Sequence, residues 1–325
     1  MKKKLTRREF LEKTTLTVAA GASLTAAGAQ SHAAPEKRHI PTRKLGRTGV
    51  EVPVLSFGGG SRFLMYKDEE EALRVLNGVI EMGVTYVDTA AAYGDGLSET
   101  RIGKVLKTRR KEVFLATKIP ESARTRDAAL REFEASLKRL GTDRVDLLHV
   151  HSLKGDDDLA RIEAPDGALK ALYELREQKA ARFIGMTSHT DGAVMKKAIE
   201  RHDLDCVQMA LNPARSNSFE KLALPAANKK TLGVILMKAT AQGKLVGTGA
   251  GTADVDSLLR YALSLPVSTM VVGMPQVAHI EQNIAVVKAF KPMSQSEMDA
   301  LAARVSPSSA SLHEFFLHHE DAQWA

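Results

Sequence analysis

Four residues have types and a spacing that could do chemistry together: Asp88, Tyr93, Lys118 and His151. Asp88, Lys118 and His151 end, or nearly end, the apolar runs Val84–Thr89, Val113–Lys118 and Val145–His151, and Tyr93 follows Asp88 by five residues. Singly, each has a bland explanation. A terminal Asp is often a helix cap, a Lys after a strand usually points to solvent, and a His is more often structural. Three successive runs that all end in titratable groups, with a Tyr beside them, are harder to dismiss. Such a set suits proton transfer at an oxygen that gains negative charge, as when hydride reaches a carbonyl. A phenol of ordinary pKa, about 10, is a poor acid at neutral pH. A neighbouring ammonium favours the phenolate, and an Asp paired with that ammonium fixes its position and charge. A His can orient the carbonyl or share the proton.

The elements that must position these residues follow from the pattern of apolar runs. Strands are expected at Val52–Phe57, Val84–Thr89, Val113–Lys118, Val145–His151, Arg182–Thr187, Cys206–Leu211, Gly233–Lys238 and Met270–Gly273. Between them lie amphipathic stretches of helical length: Asp68–Met82, Ser98–Lys107, Asp127–Leu140, Asp166–Gln178, Asp191–His202, Phe219–Lys229 and Asp254–Leu265, with Ala278–Ala289 after the last strand. Caps are expected at Asp68, Ser98, Asp127 and Asp254, and Pro225 should break or kink its helix. Several strands are apolar almost throughout, as befits a parallel sheet buried on both faces. Eight strands alternating with eight helices point to a single-domain (β/α)₈ TIM barrel, whose active-site residues gather at the carboxyl ends of the strands. A doubly wound open sheet is the alternative. Against it, no strand leads into G-x-G-x-x-G, and Gly58-Gly59-Gly60 has a different spacing.

Read in order, the chain carries G-V-T-Y-V-D-T-A with Y-G and S-E-T-R-I-G (83–103), F-L-A-T-K (114–118), S-L-K-R-L-G-T-D-R-V-D-L-L-H-V-H (136–151), R-F-I-G-M-T-S (182–188) and V-Q-M-A-L-N (207–212). With these motifs it resembles the aldo-keto reductases over roughly Thr42 to Val305. The resemblance implies reduction of an aldehyde or ketone to an alcohol, or the reverse, with a nicotinamide cofactor. It makes Tyr93 the general acid/base, tuned by Lys118 and Asp88, with His151 positioning the substrate. His149 is expected on the other face of its strand, with a structural role.

The resemblance also implies a cofactor site. Thr187, Ser188 and Gln208 stand where the family holds the nicotinamide carboxamide, although Ser-Asn is the usual pair at the first two. Met237 replaces an aromatic stacking residue, and Gln282 and Asn283 match adenine contacts. Gly273 and His279 stand where the family has a Lys and an Arg for the 2′-phosphate. His is mostly neutral at pH 7, unlike Arg, so the family pattern puts NADP(H) only narrowly ahead of NAD(H). No metal is implied. For the substrate side, Phe63, Met65, Phe315 and Phe316 are candidates, and Ser152 stands where many members have an aromatic residue. The tail with His313, Glu314, His318, His319 and Glu320 reads as a solvated terminal segment rather than a metal site. Two rival functions are a non-catalytic nicotinamide-binding barrel subunit and a Schiff-base lyase or aldolase using Lys118.

The first 35 residues begin MKKKLTRREFLEKTTLTVAAG and end in small residues. A basic start, a dilute apolar stretch and a small-residue exit near Ala33 form a signal-peptide layout. Within it, Thr6-Arg7-Arg8-Glu9-Phe10-Leu11 resembles the twin-arginine (Tat) address. Residues 1–33 are therefore expected to be a Tat signal peptide, and 34–325 the barrel domain, with a core of 42–305 and a tail of 306–325. The expected partners are the Tat export machinery and a small carbonyl or alcohol, and the expected destination is the periplasm or beyond. The apolar stretch is too short to remain as a membrane span. Of the net charge of +7, the leader accounts for the larger part. The rest shows no basic stripe with interleaved aromatics, so nucleic acid is not expected as a partner. One cysteine, Cys206, excludes an internal disulfide or a cysteine-rich metal site.

Overall fold

Eight parallel strands close on themselves in a computed structural model that describes residues 40–319. The expected leader and Glu320 lie outside these residues. The strands are β3 (Leu55–Gly58), β4 (Tyr86–Asp88), β5 (Phe114–Ile119), β6 (Val145–Val150), β7 (Ala181–Ser188), β8 (Cys206–Ala210), β9 (Gly233–Met237) and β10 (Thr269–Val272). They neighbour one another in chain order, and β10 pairs back onto β3. This is the (β/α)₈ barrel that the alternating pattern predicts.

Two antiparallel strands precede the barrel, β1 (Thr42–Lys44) and β2 (Glu51–Pro53). Their hairpin brings Leu45 and Val52 against the inward-facing Tyr86, Ala116, Leu147, Cys206 and Ile235. The amide of Arg47 donates to Thr231 O, just before β9. The hairpin therefore plugs the amino-terminal mouth, and the barrel is a packed core with one open end. The expected single strand Val52–Phe57 is in fact two. Pro53 has no N–H to offer a central ladder, and the chain crosses from hairpin to barrel at Val54.

Asp68 and Asp254 cap their helices as expected, accepting from the amides of Glu71 and Ser257. The other two expected caps are each displaced by two residues. Thr125, not Asp127, accepts from the amide of Ala128 ahead of the helix Arg126–Leu140. Ser98 lies inside the helix Leu97–Arg109, which starts from Gly96 at φ 82°. Its hydroxyl is buried and donates to Gly59 O at 2.7 Å, beside Thr89 Oγ1 at 2.8 Å. Gly59 must be bare for this packing, because a Cβ there would sit 2.7 Å from Asp88 O. Pro225 falls in the first turn of the helix Leu224–Lys229, after a π-helical turn Phe219–Ala223. There its missing N–H costs no helical bond.

Four α-helices go beyond the expected pattern: Ser61–Leu64 after β3, Asp156–Glu163 between β6 and β7, and Gln295–Val305 and Ser309–Leu317 after the barrel. The tail is folded up to Leu317, with Phe316 and His319 buried, while His313, Glu314 and His318 are exposed as expected. No helix among the described residues is long and apolar enough to cross a membrane.

Candidate active site

Lys118, second from the end of β5, sends its ammonium into a buried cluster at the open mouth of the barrel. Nζ lies 2.6 Å from Asp88 Oδ1, 2.7 Å from Thr89 O and 3.2 Å from Tyr93 Oη. Asp88 closes β4, and Tyr93 sits in the turn that follows it. The Tyr93 ring packs over Gly60, where a Cβ would lie 3.5 Å from the ring atoms. His151, the residue after β6, meets the Tyr93 ring edge-on with centroids 5.7 Å apart. Lys118 and Asp88 are only 1% and 2% exposed, which makes their pair strongly context-dependent. The four residues singled out from the sequence therefore share one site.

The same geometry bears on the Schiff-base alternative. An ammonium carries three protons, and Lys118 has three acceptors placed around it. A lysine nucleophile must give up a proton to become a free amine. Here the three protons are directed at Asp88, Thr89 and Tyr93, which suits electrostatic tuning of Tyr93 instead.

His149 departs from expectation. Side chains two residues apart on a strand share a face, and His149 pairs in register with the inward-facing Lys118. It points into the barrel, and Gly185 on β7 makes room for it: a Cβ there would lie 2.7 Å from the imidazole. Neither ring nitrogen has a hydrogen-bond partner in the protein. Burial first, then Lys118 and His151, push its pKa well below the ordinary histidine value. The group is neutral in the fold yet titrates near pH 6.5 when unfolded. The unfolded chain thus binds the extra proton, and stability is lost as pH falls below about 6.5, by up to about 1.4 kcal/mol per pH unit. His149→Leu should flatten this slope. Urea denaturation at pH 7.5 and 5.5 checks it, and an unchanged slope would refute the assignment.

A cavity of about 490 Å³ opens beside Tyr93 and Asp88 and runs past Gln208 and Met237 to Gly273, His279, Gln282 and Asn283. Six of the eight expected cofactor residues thus line one continuous space. Gln208 Oε1 is buried there without a partner, an acceptor suited to the carboxamide N–H of a nicotinamide. Gly58, Gly60 and Gly273 also line the cavity. His279 stands in the first turn of the helix Val277–Lys288, whose amino end favours a phosphate. Gln282 Nε2 donates to Asp256 Oδ1 at 3.3 Å, which brings a carboxylate beside Gln282. These residues fit a nicotinamide dinucleotide.

Thr187 and Ser188 do not line this space. Thr187 Oγ1 accepts from the amide of Ser152 at 2.9 Å, and Ser188 Oγ donates to Leu153 O at 2.7 Å. Both hydroxyls hold the loop that carries His151, and Ser188 has spent its proton there. Thr187 keeps its own proton to donate. Conversely, Arg62 and Lys238 line the cavity and were not singled out from the sequence. Arg62 crosses over Gly273, its Cβ and Cγ filling the space a side chain there would take, and Nη2 donates to Gln242 O at 2.6 Å. Its position at the carboxyl end of the first barrel strand was the available signal.

The expected substrate-side aromatics divide. Phe63 is fully buried against Phe57 and Tyr66, and Met65 is exposed, so neither lines the cavity. Phe316 and Phe315 pack with His319 around His189, which does line it. Lys238 Nζ lies 2.9 Å from His319 Nε2. The tail is therefore a wall near the cavity. Among the described residues, no cluster of three or more His, Cys, Asp or Glu side chains could hold a metal.

A model of the Aldo/keto reductase family matches residues 54–258. The chain is 34% identical over 188 residues to an aldo-keto reductase [NADP(+)] of Schizosaccharomyces pombe, a match covering 54% of this chain and 53% of that protein. It is 27% identical over 308 residues to L-galactose dehydrogenase of Arabidopsis thaliana, covering 82% of this chain and 95% of that protein. Among solved structures, the holo form of an aldo-keto reductase from Bacillus halodurans shares the fold, with a TM-score of 0.68 and 24% identity over 82% of this chain and 96% of that one.

Proposed function

We propose that this chain, which belongs to the aldo/keto reductase family, is an NAD(P)-dependent oxidoreductase that interconverts an aldehyde or ketone with its alcohol through Tyr93. The observation that carries this reading is the Lys118 ammonium set between Asp88 Oδ1 and Tyr93 Oη. A bound nicotinamide supplies hydride exchange with the carbonyl carbon. As negative charge grows on the carbonyl oxygen, Tyr93 Oη delivers its proton to it. The ammonium at 3.2 Å then stabilises the phenolate left behind. Asp88 holds that ammonium in place, and His151 at the edge of the Tyr93 ring orients the carbonyl oxygen. In the oxidative direction the same phenolate takes the alcohol proton. A non-catalytic binding subunit has no use for the four residues in this arrangement.

NADP(H) is the proposed cofactor, supported by the name of the Schizosaccharomyces pombe relative and by Arg62, Lys238 and His279 on the cavity wall. The name of the Arabidopsis relative supports a sugar hemiacetal as a second substrate class, used in the oxidative direction. A survey of aldehydes with NADPH and NADH, run beside L-galactose with NADP⁺ and NAD⁺, tests both readings. Turnover of none of these would overturn the assignment.

The proposed destination is the periplasm or the exterior, reached through the twin-arginine route with the cofactor already bound. The support is the Arg7-Arg8 motif within residues 1–33. Replacing both arginines by lysine should leave the protein in the cytoplasm with its leader attached. Fractionation of expressing cells checks this, and unchanged export would sink the route. Exported protein that lacks any affinity for a nicotinamide dinucleotide would sink the bound cargo.

A further inference from the structure

We infer that Arg124, outside the cavity, is a positioning residue that holds His151 in its working place. The inference rests on the reading of His151 as the group that orients the carbonyl. The segment 151–154 leaves β6 and must turn sharply to reach the helix Asp156–Glu163. Ser152 does this in the left-handed region, at φ 51°. That conformation is unfavourable for a residue with a Cβ, so something must impose it.

Arg124 is placed to do so. Its Nη2 donates to His151 O at 2.8 Å and to Ser152 O at 3.2 Å. The same guanidinium grips Asp158 through Nε at 2.8 Å and Nη2 at 2.9 Å. Asp158 in turn accepts from the amide of Lys154 at 3.2 Å. One planar fork thus ties both ends of the turn, two carbonyls before it and the amide side after it. From the barrel side, Thr187 Oγ1 and Ser188 Oγ hold the amide of Ser152 and the carbonyl of Leu153. The backbone of His151 is clamped between these layers, and its imidazole is left to face Tyr93. A lysine could offer charge to Asp158 but not a rigid fork.

The test compares Arg124→Met, Arg124→Lys and Arg124→Met with Ser152→Gly. Arg124→Met should lower kcat/KM for the carbonyl by at least about tenfold, since an ångström of misplacement is worth up to about 10². The Kd for NADPH, read by fluorescence titration, should stay within about twofold, because Arg124 does not line the cavity. Arg124→Lys should fall between. Adding Ser152→Gly should restore part of the loss, because glycine takes the left-handed turn without strain. The His151 imidazole resonance, assigned through His151→Asn, should shift or broaden in Arg124→Met. A loss that follows the folded fraction and is not relieved by Ser152→Gly would overturn the inference. So would unchanged turnover with an unchanged His151 resonance. If the parent protein reduced no carbonyl, the functional reading would fall, while the resonance would still decide whether Arg124 positions His151.

Discussion

Tyr93→Phe should abolish carbonyl reduction while leaving NADPH binding and the fold intact. The phenol oxygen is the only atom removed. Its ring stays packed over Gly60 and edge-on to His151, so no cavity opens in the core. What disappears is the proton donor, and a positioned general acid is worth roughly 10²–10⁴ in rate. The ammonium of Lys118 keeps Asp88 Oδ1 and Thr89 O as acceptors, so the variant should lose little stability. Steady-state turnover, fluorescence titration with NADPH and urea denaturation measure the three parts separately. Turnover within tenfold of the parent would mean that another group gives the proton, and His151 would be the first to examine.

The barrel and the reacting cluster were legible because both rest on periodic or strand-end signals. Continuous apolar runs mark strands buried on two faces, and Asp88, Lys118 and His151 fall where those runs stop. Side-chain allegiance was less legible. Ser98 looks like a cap by type, yet it is recruited inward by Gly59 O and Thr89. Ser188 and Thr187 sit at cofactor positions of the family, yet their hydroxyls hold the loop after β6. His149 lies two residues before His151 and shares its face, so it fills the barrel instead of backing away from it. Arg62 and Arg124 act across long sequence separations, on Gln242 O and on the carbonyls of His151 and Ser152. No local pattern announces such contacts, because they depend on which strands the closed barrel makes neighbours.

Lys118→Met separates the two things that the buried pair does. In the fold, the ammonium neutralises a carboxylate that is 2% exposed and whose second oxygen already lacks a partner. Removing one member of such a pair costs roughly 3–5 kcal/mol, since the other charge stays buried without compensation. In the reaction, the ammonium stabilises the phenolate of Tyr93, and losing one such interaction costs roughly 10²–10³ in rate. A second variant, Lys118→Met with Asp88→Leu, removes both charges and should recover most of the stability, as replacements of buried pairs by apolar residues often do. It should recover none of the turnover. Urea denaturation and steady-state rates on the parent, both single variants and the double variant complete the cycle. A double variant that regained turnover along with stability would show that the pair serves only the fold, and that Tyr93 needs no ammonium beside it. If the single variant were as stable as the parent, the pair would contribute nothing net to folding, and its burial would have to be explained by the chemistry alone.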